Sequence, residues 1–145
     1  MSLRALVCRV GDARCAIELS QLVETMRPLP IQKLEGTPAF VLGASVIRGA
    51  LTPVVDVAAL LGLASDVPGR FVTTKAGARS VALAVTDVDG VRAIDENLAT
   101  APLLSGARAH HVASLTTLDS DLAVVLRDAH WLPEEVWRAV ESTTR

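Results

Sequence analysis

Apolar side chains recur at every second position near the start of the chain. Leu6, Cys8 and Val10 form one run, and Cys15, Ile17 and Leu19 the next. A period of two belongs to a half-buried β-strand, and Gly11-Asp12 between the runs supplies turn residues. A hairpin over 3–19 with a two-residue loop sets Val10 opposite Ala13 and Cys8 opposite Cys15. Residues 22–26 are β-prone and end at Pro28 and Pro30. Two short strands follow at 44–48 and 51–55, joined at Gly49. Pro53 inside the second predicts a sheet edge or a bulge.

Asp56 then precedes the apolar turn 57–61 and Gly62. An acidic N-cap, an apolar turn and a glycine after it predict one short helix, so Asp56 reads as a cap rather than a catalytic acid. Residues 63–70, with Ser, Asp, Pro and Gly, are linker-like. Strand-like runs return at 71–75, 80–85 and 88–94, with Gly77 and Gly90 marking turns. Residues 95–111 read as a loop. A last hairpin is expected from 112–118 and 122–126 around 119–121. Asp128 and the residues after it repeat the device at Asp56, a weak sign of two related sub-barrels. Leu132, Val136 and Val140 at i, i+4 spacing predict a short helix over 133–140, followed by a frayed tail. Eight to ten short strands and brief helical turns define an all-β barrel or sandwich.

A length of 145 residues implies a single domain spanning 1–145. Half the residues are hydrophobic, enough for a true core, and only 3% are aromatic, so that core is aliphatic. The net charge of −2 offers no basic surplus for nucleic acid. No apolar run reaches the roughly 20 residues of a spanning helix. Charged residues interrupt the N-terminus, so no signal peptide is expected and the cytoplasm is the default compartment. Two cysteines are too few for a disulfide scaffold. They read as small buried side chains, with a redox pair as the alternative.

No catalytic constellation emerges. His110, His111 and His130 lack metal-ligand spacing, and no phosphate-cradling glycine loop or nucleophile elbow is present. The expectation is a binding module without metal or cofactor. Two lone charges stand out in apolar surroundings, Glu24 and Arg48. An unpaired buried guanidinium is costly, so Glu24 is the candidate partner of Arg48. The pair reads either as an internal salt bridge or as a charged element beside an apolar docking surface.

The run from Thr37-Pro38-Ala39-Phe40-Val41-Leu42-Gly43, through Val46-Ile47-Arg48-Gly49, to Thr52-Pro53-Val54-Val55-Asp56-Val57 resembles the signature of the CheW family of chemotaxis coupling proteins. Leu22-Val23-Glu24 resembles its upstream segment, and residues 85–91 a later one. The chain departs from the family pattern at Thr86, at Arg127, and at Cys8 and Cys15, where bulky aromatics are common.

The resemblance implies two SH3-like five-stranded β-barrel subdomains sharing a core, with short helical turns and a C-terminal helix. It implies no catalysis and no cofactor. It implies an adaptor between chemoreceptor cytoplasmic tips and the regulatory domain of a CheA-type histidine kinase, in the cytoplasm at receptor arrays. By position, the protein-binding residues would be Leu22, Glu24, Val46 and Arg48. The alternative is a divergent accessory protein that binds one partner only, in a pathway such as surface motility or development.

Overall fold

The computed structural model describes residues 2–95, 112–118, 121–126 and 132–144. The expected hairpin forms from β1 (Ser2–Val10) and β2 (Ala13–Glu18), and Cys8 lies directly opposite Cys15. A 3-10 turn (Leu19–Gln21) leads to β3 (Leu22–Met26). Strands β4 (Val41–Ile47) and β5 (Ala50–Asp56) follow, then helix α1 (Val57–Leu60). Next come β6 (Arg70–Ala76), β7 (Arg79–Val85) and β8 (Asp87–Asp95). The last described elements are β9 (Val112–Leu118), β10 (Asp121–Leu126) and helix α2 (Glu134–Thr144). The fold is all-β, as its alternating pattern requires.

The strands make two five-stranded sheets, ordered β8-β1-β2-β10-β9 and β3-β6-β7-β5-β4. Their topologies are the same. Strands β8, β9, β10, β1 and β2 of the first occupy the places of β3, β4, β5, β6 and β7 of the second. Each sheet holds one parallel pair, β2 with β10 and β5 with β7. The N-terminal hairpin thus completes a sheet begun by the C-terminal strands. Val54-Val55-Asp56 falls at the end of β5, and the equivalent strand is β10. The second Asp-led turn, beyond residue 126, lies outside the described residues, as does most of the predicted loop 95–111.

Side chains from both sheets share the largest core. Leu6, Cys8, Val10, Cys15 and Ile17 of the first meet Val55, Val72, Val81, Leu83 and Val85 of the second, with Leu60 of α1 and Val136 of α2. The opposite faces are buried too, around Val7 and Ile94 in one sheet and Phe71 and Val54 in the other. Both faces of β1 are therefore apolar, and small residues such as Ala5 and Ala16 fit inside the curled sheet. Burying each larger aliphatic side chain contributes roughly 1.5–3 kcal/mol against chain entropy.

Several local expectations are corrected. Gly90 is no turn; it lies within β8, beside a bulge where the register with β1 shifts between Val7 and Cys8. Its φ of 116° suits an irregular ladder that a side chain would strain. Pro53 lies on a strand interior to its sheet, not at an edge, and next to a bulge, since the register with β4 shifts between Val41 and Gly43 opposite Val55 and Val54. It pairs with Ala44 just before the parallel pairing with β7 begins at Val54, so no ladder donor is needed there. The C-terminal helix runs on to Thr144 where a frayed tail was expected. Its first-turn acids, Glu134 and Glu135, suit the positive end of the helix dipole. The stretch 63–70 connects α1 to β6 within the second sheet.

Candidate docking site

Arg48 and Gly49 close the two-residue turn between Ile47 and Ala50. Their φ values of 51° and 78° are those of a type I′ hairpin turn, which matches the twist of the flanking strands. Arg48 is the one non-glycine residue with positive φ among the described residues. A left-handed arginine is unfavourable for its Cβ, and here the turn aims the side chain across the barrel end toward β3.

Glu24 is set from the other side. Its backbone N–H donates to Thr73 Oγ1 at 3.1 Å, and that hydroxyl donates to the Glu24 carbonyl at 3.2 Å. A bulge between Leu22 and Glu24 accompanies this exchange. Arg48 then donates from Nε to Glu24 Oε2 at 2.6 Å and from Nη2 to Oε1 at 2.9 Å. Two parallel charge-assisted bonds give a planar, directional link. That hydrogen bonding holds the Glu24 carboxyl below its ordinary value and the Arg48 guanidinium above its own.

The partner inferred from sequence is correct, but the burial is not. The Arg48 side chain is 78% exposed and that of Glu24 26%. The pair is a surface device, because the I′ turn carries Arg48 out beyond the end of the sheet.

Beside the pair lies a groove of about 410 Å³. Val23, Ile47, Leu51, Trp137 and Val140 supply apolar lining, with Arg48, Glu24 and Arg79 among its polar groups. Val23 is half exposed. The remaining two expected residues lie apart from this lining. Leu22, two positions before Glu24, is partly buried against the main core. Val46, two positions before Arg48 on β4, is 64% exposed. The structure thus joins Glu24 to Arg48 and leaves Leu22 and Val46 as flanking apolar positions.

Sequence reasoning missed the helical wall. Arg79 stacks 4.4 Å above the Trp137 ring and reaches Glu134 at 3.7 Å, tying the β6–β7 turn to α2. The apolar spacing of α2 was legible, but which surface it covers depends on packing. Among the described residues no group of three metal-ligating side chains clusters, and no helix is long and apolar enough to cross a membrane. Ser45 is buried and donates to the Pro30 carbonyl at 2.8 Å, a structural bond.

A sequence model of the CheW-like domain matches residues 4–135. The chain belongs to the CheW-like family. Members of this family are non-catalytic scaffolding adaptors. A probable chemotaxis protein CheW from Rhizobium etli is 31% identical over 101 residues, 67% of this chain. The chain spans 65% of the length of that curated relative. The crystal structure of the scaffolding protein TtCheW from Thermoanaerobacter tengcongensis superposes with a TM-score of 0.75. That match covers 88% of this chain and 90% of the other at 21% identity, a likeness of fold. The CheW-like fold consists of two SH3-like subdomains, in accord with the two topologically equivalent sheets.

Proposed function

We propose that this chain is a coupling adaptor that bridges the cytoplasmic tip of a chemoreceptor to the regulatory domain of a CheA-type histidine kinase. It would act as one domain over 1–145, in the cytoplasm and at membrane-associated receptor arrays. The docking residues are Leu22, Glu24, Val46 and Arg48. The observation that carries the reading is the bidentate Arg48–Glu24 pair on the rim of an apolar groove in a CheW-like domain. Helical partners lay apolar side chains into such grooves, and rim charges set register and partner choice.

The test is calorimetric titration of the full chain with the kinase regulatory domain and, separately, with a receptor-tip fragment. Binding to both is the expected result. Binding to the receptor fragment alone would replace the coupling function with that of a single-partner accessory protein. Binding to neither overturns the coupling role.

A further inference from the structure

The chain has two cysteines, both free and both fully buried. They are direct cross-strand partners, Cys8 on β1 and Cys15 on β2. Opposed residues of an antiparallel pair have Cα atoms about 4.5–5.5 Å apart, inside the window of about 4.4–6.8 Å that a disulfide spans. Both side chains enter the same core cluster, so they project from one face of the sheet. Neither thiol has another cysteine to choose.

The closed site is chemically quiet. The thiolate is the nucleophile in disulfide exchange. A thiol–thiol hydrogen bond that the Cys15 S–H donates to Cys8, and then burial, pushes the Cys15 thiol well above its ordinary value. No oxidant reaches a fully buried sulfur. The pair nonetheless sits close to the turn end of the hairpin. Only Val10–Ala13 and Arg9–Arg14 separate it from the Gly11-Asp12 turn. Arg9 is paired with Asp87 and Asp89. The Gly11 N–H donates to Thr86 Oγ1 at 2.9 Å and the Thr86 N–H donates to the Arg9 carbonyl at 2.9 Å, so these bonds must break before the turn end can open. On the other side of Cys8 the ladder with β8 is already irregular, since the register shifts between Val7 and Cys8.

We propose that Cys8 and Cys15 form a gated dithiol site whose reactant is a small-molecule disulfide, admitted only when the turn end of the β1–β2 hairpin opens. In the open state one cysteine loses its proton and attacks the oxidant, expelling one thiolate and leaving a mixed disulfide. The second cysteine loses its proton, attacks the mixed disulfide and forms the Cys8–Cys15 bond, expelling the second thiolate. Two electrons pass from the cysteines to the oxidant, and their two protons end on the two released thiols. Reclosing of the hairpin buries the new bond in the core between the sheets. This site is independent of the docking groove and of the coupling role.

The experiment is incubation of the full chain with oxidised glutathione, in native buffer and in sub-denaturing urea, followed by intact mass and free-thiol count. Both thiols should survive in native buffer. In urea the oxidation rate should rise by about tenfold or more as the opening free energy falls. The product should be the monomer lacking two hydrogens, with no glutathione adduct accumulating. Cys15→Ser under the same conditions should instead hold one stable glutathione on Cys8. Equal rates in native buffer and urea would overturn the gate. Accumulated adducts or crosslinked dimers of the wild type, or no reaction in urea, would overturn the dithiol site. The wild-type mass decides the matter even where the serine variant fails to fold.

Discussion

Arg48 and Glu24 link the two ends of one sheet. The order β3-β6-β7-β5-β4 leaves β3 and β4 at its edges. Glu24 lies on β3, and Arg48 lies in the turn that ends β4. Their two hydrogen bonds therefore span the open side of the barrel at its solvent end. A pair so placed can mark a docking surface while contributing little to the core.

Charge reversal separates those roles. Arg48→Glu sets two carboxylates against each other at the groove rim. It is expected to abolish partner binding in calorimetry while far-ultraviolet circular dichroism stays that of the wild type. Glu24→Arg with Arg48→Glu rebuilds the pair in reverse and should recover the melting temperature. Recovery of the fold without binding would assign the polarity of the pair to the partner.

The backbone at Arg48 yields a second prediction. Asparagine tolerates positive φ and is favoured in type I′ turns. Arg48→Asn should melt no lower than the wild type yet bind its partner at least tenfold more weakly. A marked drop in melting temperature would show that the ion pair, rather than the turn, maintains this end of the barrel.

Asp56 tests the capping reading. Its side chain accepts from the Ala59 N–H at 3.4 Å and from Ser65 Oγ at 2.7 Å. It is mostly buried. Asp56→Ala removes both and should cost about 1–3 kcal/mol in urea unfolding. Asp56→Asn keeps an acceptor and should cost less than half as much.

The groove wall depends on Trp137. Trp137→Ala empties a buried site and should cost about 3–5 kcal/mol. Arg79→Ala removes a partly exposed cation–π contact and a long ion pair, costing about 0.5–1 kcal/mol. Each is read from denaturant midpoints. In a Trp131→Phe background, Arg79→Ala should also alter Trp137 fluorescence.

Acid should reveal the surface carboxylates. Asp87 is held below its ordinary value, first by the Val88 N–H and then by Arg9, and Glu24 by Arg48. A depressed folded pKa contributes stability above the unfolded value of about 4, and that stability is lost as pH falls through the folded value. The melting temperature should therefore hold steady from neutrality to about pH 5 and decline below about pH 4. Asp87→Asn should decline less steeply over the acid range.

Local chemistry determined much of this protein. Alternation at Leu6, Cys8 and Val10, the Gly11-Asp12 turn, and the Asp56 cap are short-range features, because each depends on neighbours within a few residues. The cross-strand meeting of Cys8 and Cys15 followed from turn length alone. Two isolated charges in apolar runs also sufficed to pair Glu24 with Arg48.

Tertiary structure decided the rest. Parallel pairing of β2 with β10 joins residues more than a hundred positions apart, and no local period encodes such a partner. The same holds for Trp137, whose burial depends on where α2 lands, and for Thr73, whose hydroxyl positions Glu24 across a strand boundary. Exposure of Arg48 was hidden for a related reason. A turn between two buried strands reads as buried in one dimension, while in space a type I′ turn projects its side chains beyond the sheet.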